Sequence, residues 1–351
     1  MKGKRLFAAS VLLSTHMVFS TTLASEPIQI TAAEQATAQK KVQQFINNMV
    51  EKKGLDREQL NALLLKRKPL IPIINAMNRP YESKPWSEYR AIFIQPDRIA
   101  QGVAYWKAHQ KTLSSVAKQY GVDPKVMLGI MGVETKYGQY ACSYKVVDAL
   151  YTLAFYYPKR EKFFQKELGQ FLLLSKEQHL KPTELCGSYA GAIGVPQFMP
   201  SSYRHYAIDY DKTGSIDLLN NHNDAIASIA NYLKKAGWQY QQPVASRTKG
   251  SQLELAKLKS NSAKKYISAT QLKKYGIDSN DKTSLARAKK AAIIDLPINN
   301  KNNYWLVYPN FGVIMHYNPR IQYAMAVYQL GEAIQSKIDE MEAPTASQKK
   351  S

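Results

Sequence analysis

An uninterrupted apolar stretch near the middle of the chain limits the fold more than any other feature. From Val126 to Val133 every residue is apolar or glycine. Asp123-Pro124 supplies an N-cap and a first-turn proline, and Gly138 is a typical stop, so one helix is predicted over Val126–Tyr137. A helix that is apolar all round belongs in an interior. The sequence therefore predicts an α-helical core built around this element.

Glu134 interrupts that apolar stretch. Because an ionised carboxylate is poorly solvated in such surroundings, its side chain would keep a proton near neutral pH, as a general acid must. The alternative is a glutamate at the exposed end of the helix, paired with Lys136 or a distant arginine. Gly129 and Gly132 each cost roughly 1 kcal/mol inside a helix. Their presence predicts that something approaches this backbone closely.

A second segment, Gly187–Ser202, combines small residues with polar side chains. Its first eight positions hold three glycines and two alanines, and the polar groups at its ends are Ser188 and Gln197. Small residues let a backbone pass close to a ligand or to another helix. The segment is interpreted either as a turn that hydrogen-bonds a sugar chain or as a tight packing turn.

The N-terminus has the order of a secretory signal peptide. Three cations within the first five residues precede an apolar run from Leu6 to Phe19, and small residues follow up to Ala24. Residues 1–24 are therefore predicted to be cleaved after Ala24, which gives a periplasmic protein. A membrane anchor, the alternative, needs roughly 20 apolar residues. No cysteine lies near the cleavage point, so a soluble form is predicted.

The exported chain is strongly basic. The formal net charge is +21, and loss of the three N-terminal cations leaves +18. Such a surface attracts polyanions. Export disfavours nucleic acid and favours electrostatic association with the cell wall or a membrane surface, with solubility alone as the alternative. With 351 residues and 45% hydrophobic content, the chain is too apolar to be disordered.

Helical patterns dominate the first two thirds of the chain. Polar residues 25–40 lead into helices over Val42–Lys53 and Asp56–Arg67, and the prolines from Pro69 to Pro85 predict a connection without regular helix. Asp97 opens a helix to about His109, and another ends near Gly121. A further amphipathic helix is predicted over Lys159–Leu180.

The last third is mixed. Strand-like runs at Ala291–Leu296, Tyr304–Tyr308 and Val313–Tyr317 follow Lys- and Ser-rich sequence and predict a small β-rich insertion. A helix over Ile321–Met341 precedes a polar tail. The only two cysteines, Cys142 and Cys186, can pair in an oxidising compartment, but sequence alone leaves that bridge open.

Four motifs, in their order and spacing, resemble family B lytic transglycosylases (glycoside hydrolase family 103). They are Gly132–Gly138, Ser188–Tyr203, Asp224–Tyr232, and the pair Tyr317-Asn318 followed by Tyr323–Gly331. The resemblance implies a mainly α fold, with a lysozyme-like helical core, an N-terminal helical extension and a small β-rich insertion. After the signal peptide, the implied regions are the N-terminal helical region, the core, the insertion, the C-terminal core helix and the tail, at 25–121, 122–240, 241–317, 318–341 and 342–351.

The same resemblance implies an enzyme that acts on peptidoglycan glycan strands. It would cleave the β-1,4 bond between N-acetylmuramic acid and N-acetylglucosamine. Glu134 matches the family's acid and base, which protonates the glycosidic oxygen and then accepts the proton of the muramyl C6 hydroxyl as the 1,6-anhydro ring closes. No second carboxylate is needed, in contrast to most glycosidases, and none occurs in Gly187–Ser202.

Several other positions match the family's sugar cleft. The implied substrate-binding residues are Ser188, Gln197, Tyr232, Tyr317 and Asn318, and the candidates for stacking on sugar rings are Tyr189 and Phe198. Each aromatic side chain has core packing as its alternative role. Arg320 stands where the family often has serine, so the hydrogen bonding expected there is altered.

An acidic loop resembles the start of an EF-hand. Oxygen-bearing side chains occupy loop positions 1, 3, 5 and 9, with glycine at 6. The candidate calcium residues are Asp209, Asp211, Thr213, Ser215 and Asp217. Position twelve is Asn220 in place of glutamate, so weak binding is expected, with Asp224 as a conceivable substitute ligand. The alternative is an Asx-rich turn, and the resemblance implies no required cofactor.

Three other functions compete with a transglycosylase. A hydrolytic muramidase would use the same fold, and a peptidoglycan-binding scaffold would keep the fold without turnover. A nucleic-acid binder would account for the charge but is disfavoured by export.

Overall fold

The computed structural model describes residues 29–78, 84–139, 142–260, 262–281 and 283–343. The predicted signal peptide and nearly all of the predicted tail lie outside these residues. Within them, the helices are α1 Ala32–Lys53, α2 Arg57–Leu64, α3 Ile71–Asn78, α4 Trp86–Phe93, α5 Pro96–Tyr120, α6 Pro124–Thr135, α7 Val146–Tyr156, α8 Glu161–Glu177, α9 Pro200–Tyr206, α10 His222–Lys235, α11 Gln252–Leu258, α12 Ala269–Lys274, α13 Ser284–Ala288, α14 Pro309–Tyr317 and α15 Ile321–Glu342. The strands are β1 Tyr144–Lys145, β2 Cys186–Gly187, β3 Ala245–Lys249, β4 Ile267–Ser268, β5 Asp278–Ser279, β6 Lys290–Asp295 and β7 Tyr304–Val307.

Two large apolar cores lie side by side. The first surrounds α6 with side chains of α4, α5, α10, α14 and α15. The second joins α1, α2 and α3 to α7 and α8, with Ile193, Phe198 and Leu218 from the segments that follow. Tyr232 and Tyr317 pack against both cores. The seam between the two cores is therefore lined by residues from two of the sequence motifs.

Helix α6 is buried on every side, as predicted. Residues 126–133 are all buried, and the Asp123 side chain caps the first turn by accepting from the Lys125 amide. The helix ends two residues earlier than predicted, because Lys136 and Tyr137 adopt left-handed conformations before Gly138. This early end leaves Glu134 in the last turn.

The insertion is a sheet with one face on the first core. Its strand order is β4-β6-β7-β3-β5, with the pairing between named strands antiparallel throughout. Alternate residues of β6 and β7 point to opposite faces, so Ile294 and Val307 join the first core while Ile293 and Leu306 join a third, smaller one. Side chains of α11, α12 and α13 complete that third core.

Two predictions for the N-terminal region were wrong, the start of the first helix and the absence of helix from the proline-rich stretch. Helix α1 begins at Ala32 and not near Val42, because Thr31 and Glu34 form a capping box that holds the polar first turns in the helix. The proline-rich stretch contains the helix α3, since Pro72 lies in its first turn, where a missing amide hydrogen removes no helical bond.

The predicted strand Val313–Tyr317 was also wrong. These residues form the last part of α14, which starts at Pro309 and buries Phe311, Val313 and Ile314. Burial on the first core outweighs the β propensity of a short run with one β-branched pair. The other two strand runs and the last helix were confirmed within two residues at each end.

A disulfide joins Cys142 to Cys186, with their Cα atoms 5.2 Å apart. It links the start of β1 to β2, which pair directly before the glycine-rich turn. None of the helices in the described part of the chain is long and apolar enough to span a bilayer.

Candidate active site

Glu134 lies half-buried in the last turn of α6, at the seam between the two large cores. Its Oε1 accepts a hydrogen bond of 2.5 Å from the Tyr323 hydroxyl. Lys136, the cation that the sequence offered as an alternative partner, has its Nζ 3.0 Å from Asp97 Oδ2. The carboxylate is therefore neither in the open solvent nor sealed inside the protein.

Two tyrosines flank this carboxylate. Tyr317 and Tyr323 stack with their ring centroids 6.3 Å apart and 13° between the planes. Burial raises the pKa of both phenols well above the usual range, and the nearby charge of Glu134 raises them further. Both hydroxyls therefore stay protonated at any physiological pH, and Tyr323 is a permanent donor to Glu134.

The close approach predicted at the helix glycines comes from α15. A β-carbon on Gly129 would lie 2.3 Å from the backbone oxygen of Val327, and one on Gly132 would lie 2.6 Å from the Leu330 side chain. Tyr323, Val327 and Leu330 are spaced by four and three residues, so they share one face of α15. The absence of side chains at Gly129 and Gly132 thus lets α15 pack closely on α6, and this packing places Tyr323 beside Glu134.

Backbone groups of the glycine-rich turn fix both sides of the carboxylate. The Thr135 hydroxyl donates to the Val195 carbonyl at 3.0 Å, and the Tyr317 hydroxyl donates to the Pro196 carbonyl. The turn itself packs tightly, since a β-carbon on Gly194 would lie 2.3 Å from the Leu218 oxygen. The turn therefore packs closely, as one of its two interpretations predicts, and it lies beside Glu134; the other interpretation, hydrogen bonding to a sugar chain, stays a prediction.

An aromatic group continues from the carboxylate along the seam. The centroid of Tyr232 lies 4.9 Å from that of Tyr317 and 4.5 Å from that of Tyr206. Beyond Tyr206 and Tyr232 is an open cavity of about 530 Å³ that Lys166 and Ser202 also line. The aromatic row therefore runs along the seam from Glu134 to this cavity, and we call this stretch of the seam the groove.

Phe198 lies beneath this group and not on its surface. Its ring is 2% exposed and lies 5.6 Å from Tyr232 and 5.8 Å from Tyr317. So little exposed area cannot stack on a ligand, and the ring instead supports the two tyrosines. Of the two roles open to Phe198 from sequence, packing is the one this position serves.

The remaining predicted residues lie in the glycine-rich turn and at the end of α14. Gln197 has a positive φ of 50° and donates from Nε2 to the Gly194 carbonyl. The Ser188 hydroxyl accepts from the amides of Ala190 and Ala192, which shapes the turn. Tyr189 packs beside the second core, and Asn318 ends α14 directly after Tyr317.

Tyr323 and Tyr206 are site residues that the sequence patterns did not single out. Tyr323 lies within one of the four motifs, but its role depends on a contact between residues 189 positions apart. A signal was present: Tyr323 shares a helix face with Val327 and Leu330, opposite a helix with two interior glycines. In the sequence, Tyr206 is marked only by its position shortly after the Gly187–Ser202 segment.

A second cluster of carboxylates lies in the acidic loop. Oxygens of Asp209, Asp211 and Asp224 lie within 4.8 Å of one another. Burial raises the pKa of the Asp224 carboxyl, and the charges of Asp211 and Asp209 also raise it. Carboxylate oxygens gathered this closely are the ligand type that calcium prefers.

The structure replaces one predicted member of this cluster. Asp217 accepts hydrogen bonds from the amides of Leu219 and Asn220, so it caps the following turn. Asp224, the conceivable substitute, lies in the cluster and accepts from the amides of Tyr210 and Asp217. The other two candidates stay in the loop, where the Thr213 hydroxyl donates to the Ser215 carbonyl.

Comparison with known proteins gives consistent matches over most of the chain. The family model described as Transglycosylase SLT domain matches residues 37–332. Membrane-bound lytic murein transglycosylase B of Escherichia coli K12 is 39% identical over 302 residues, which cover 83% of this chain and 82% of that protein. Among solved structures, the Pseudomonas aeruginosa soluble lytic transglycosylase SltB1 has a TM-score of 0.79 at 39% identity, over 85% of this chain and 99% of that one. The Escherichia coli lytic transglycosylase SLT35, solved in complex with calcium, has a TM-score of 0.77 at 38% identity, over 84% and 93%.

Proposed function

This chain belongs to the transglycosylase SLT domain family, and from that premise we propose that Glu134 is its single catalytic acid and base. The protein is a lytic murein transglycosylase, an enzyme that acts on peptidoglycan. One observation carries the assignment of Glu134: its carboxylate lies half-buried in an aromatic groove, held by a neutral donor, Tyr323. A lone carboxylate in such a place is suited to proton transfer.

The reaction needs one proton moved twice. Glu134 in its acid form donates to the glycosidic oxygen as the bond from C1 of N-acetylmuramic acid breaks. The carboxylate then accepts the proton of the C6 hydroxyl, and that oxygen bonds to C1 to give a 1,6-anhydro end. No water is consumed, and Glu134 recovers its initial protonation state. The role of Tyr323 is positioning, since its hydroxyl orients Oε1 without entering the proton balance.

The groove supplies the binding surface for the glycan strand. Ser188, Tyr189, Gln197, Tyr232, Tyr317 and Asn318 border it, and Phe198 supports the tyrosine rings from below. Sugar rings present apolar faces that pack on aromatic side chains, and the exposed edges of Tyr232 and Tyr206 extend this surface away from Glu134. The open cavity beyond Tyr206 gives a bound strand room to continue.

The acidic cluster is proposed to bind calcium as a structural ion. Asp209, Asp211 and Asp224 would hold it, and the fit rests on their proximity and on the burial of Asp224. A bound cation would neutralise repulsion among three carboxylates. The ion would connect Asp209 and Asp211 in the loop to Asp224 in α10. It would take no part in the proton transfers.

The chain is proposed to work in the periplasm, where its substrate lies. The signal-like order of residues 1–24 and the disulfide between Cys142 and Cys186 support an exported, oxidising location. Fractionation of cells that produce the full chain tests this proposal, because a cytoplasmic, uncleaved product contradicts it.

Product analysis tests the activity and the role of Glu134 together. Purified protein is incubated with sacculi, and the released muropeptides are measured by mass spectrometry. The wild type is expected to give 1,6-anhydro ends, whereas Glu134→Gln gives none and keeps its melting temperature. Glu184→Gln, a surface control, should behave as wild type. Reducing ends in place of anhydro ends would identify a hydrolytic muramidase, and no products from the wild type would identify a scaffold.

A further inference from the structure

The positive charge of this protein is concentrated in one part of the insertion. Residues 249–290 contain 11 Lys and Arg against 3 Asp and Glu, a net charge of +8 in 42 residues. Residues 122–240 contain 13 against 11, a net charge of +2 in 119 residues. The catalytic groove is therefore not where the excess charge lies, and an anionic glycan bound there does not account for it.

Most of these basic residues lie on the outer side of the sheet, whereas Lys264 and Lys265 lie just before its edge strand β4, between Ala263 and Tyr266, which pack on the first core. Leu255, Leu272 and Leu285, from α11, α12 and α13, pack on the sheet face opposite to the first core. Since β4 and β5 are opposite edges of the sheet, α12, which runs between them in sequence, crosses this outer face. We call the described residues within 249–290 the basic outer layer.

Most cations of the basic outer layer are not neutralised locally. Lys264, Lys265, Lys273 and Lys274 are exposed, and none has an ion-pair partner within 4.0 Å in the described part of the chain. Two cations of the layer are paired, Lys257 with Glu254 and Lys259 with Asp295, and Asp281 accepts from the amide and hydroxyl of Thr283. The layer therefore presents a field that attracts a polyanion.

Two exposed apolar side chains lie in the same layer. Leu253 is 65% exposed and Tyr275 is 49% exposed, and they make up two of the five large exposed hydrophobics among the described residues. The segments that carry them touch, since a β-carbon on Gly250 would lie 3.2 Å from the Gly276 oxygen. A soluble polyanion gains nothing from apolar side chains, whereas a lipid headgroup region accommodates them.

We propose that the basic outer layer docks this protein on a membrane surface rich in anionic phospholipid. Its lysines lie over the phosphate groups, and Leu253 and Tyr275 enter the headgroup region. The catalytic groove lies between the two large cores, on other elements. The anchor is electrostatic and reversible, because each lysine near an anionic leaflet contributes only about fivefold in affinity.

Vesicle binding by the full mature chain tests the proposal. Phosphatidylcholine vesicles with phosphatidylglycerol are compared with phosphatidylcholine alone by co-sedimentation. Wild type is expected to bind the anionic vesicles only, and less as salt rises. Replacing Lys264, Lys265, Lys273 and Lys274 together by Gln should weaken binding by about 600-fold, since each lysine contributes about fivefold. The matched control replaces Lys40, Lys52, Lys53 and Lys107 by Gln, and equal loss in this control would overturn the proposal.

A second variant separates a membrane from a soluble polyanion. Leu253→Ser with Tyr275→Ser should weaken vesicle binding but leave binding of inorganic polyphosphate unchanged. If vesicle binding is also unchanged, the layer recognises polyanions in general and the membrane proposal fails. Turnover of sacculi should stay at the wild-type level in every variant, since no substituted residue lies in the groove, so this test is independent of the proposed function.

Discussion

Two acidic sites in this molecule differ in how many carboxylates they bring together. Glu134 is a lone carboxylate among tyrosine rings, with the neutral Tyr323 hydroxyl as a donor. The acidic loop instead gathers Asp209, Asp211 and Asp224 within 4.8 Å of one another. A lone half-buried carboxylate can exchange a proton with a ligand, whereas three adjacent ones are stabilised by a cation. The number and surroundings of acids, not their presence, separate a reactive site from a binding site.

The position of the Glu134 carboxylate should matter more than its charge. Glu134→Asp keeps the charge but withdraws the group by one methylene, away from Tyr323 and from the groove. Misplacement by about 1 Å costs on the order of 100-fold in rate. Release of anhydro-muropeptides by this variant should fall by at least that factor. Wild-type activity of Glu134→Asp would show that the exact position of the Glu134 carboxylate does not determine its reactivity.

The helix contact beneath Glu134 should tolerate no added methyl group. Gly129→Ala places a carbon 2.3 Å from the Val327 oxygen, a backbone atom, so destabilisation of about 1–3 kcal/mol is expected. The matched control is Gly312→Ala, whose nearest neighbour, the Tyr266 hydroxyl at 3.1 Å, is the end of a side chain. In urea denaturation, Gly129→Ala should unfold at a lower urea concentration than Gly312→Ala. Equal unfolding midpoints for the two variants would contradict the close approach of α15 to α6.

Removing the donor from the lone carboxylate should slow catalysis without weakening binding. Tyr323→Phe loses the hydrogen bond to Glu134, and a bond to a charged group contributes about 1.5–3 kcal/mol. We expect kcat to fall about tenfold or more with KM unchanged. Tyr328→Phe on the same helix is the control and should keep its kcat. A rise in KM alone would assign Tyr323 to substrate binding.

The three-carboxylate site should respond to calcium, and the lone site should not. At ten times its Kd, calcium adds about 1.4 kcal/mol to the free energy of unfolding, which for a chain of this length is about 2 °C in melting temperature. Asp224→Asn should remove this increment. Asp217→Asn should keep it, because Asp217 caps the next turn. The rise in melting temperature is measured by adding calcium to chelator-treated protein. If Asp217→Asn also abolishes this rise, Asp217 is a calcium ligand, as the EF-hand pattern predicts.

The smallest expected effect concerns the histidines between the two sites. His109 packs on His222, the first residue of α10, with centroids 4.9 Å apart. Burial lowers the pKa of His109 below its usual 6.5, and the charge of His222 lowers it further. Below pH 6.5 the unfolded chain therefore binds more protons than the folded one, and stability falls as the pH drops. His109→Phe should lose stability less steeply than wild type between about pH 7 and about pH 5, measured by urea denaturation at each pH. A steeper slope in the variant would contradict a lowered pKa at His109.

Local sequence patterns were sufficient to predict helix α6 and its Glu134, but not the elements that pack against them. The N-cap at Asp123, the buried faces of α6 and the place of Glu134 on it follow from neighbouring residues. The interior glycines indicated a close approach, but not that α15 makes it or that Tyr323 arrives with it. The same limit applies to the acidic loop, where the local pattern named Asp217 as a ligand and gave Asp224 only as a substitute for the glutamate missing at position twelve, whereas Asp224 is the residue that lies close to Asp209 and Asp211.

The sequence by itself determined a helical core, one carboxylate on an apolar helix and a glycine-rich turn, and it predicts an export signal. Periodicity, caps and turn residues act over a few positions, so they can be read from the chain. Tertiary structure alone decided that residues 313–317 are helical, that Phe198 is buried beneath Tyr232 and Tyr317, and that α11, α12 and α13 cover one face of the sheet. These outcomes depend on which surfaces are buried against each other, and burial is a property of contacts between residues far apart in the sequence.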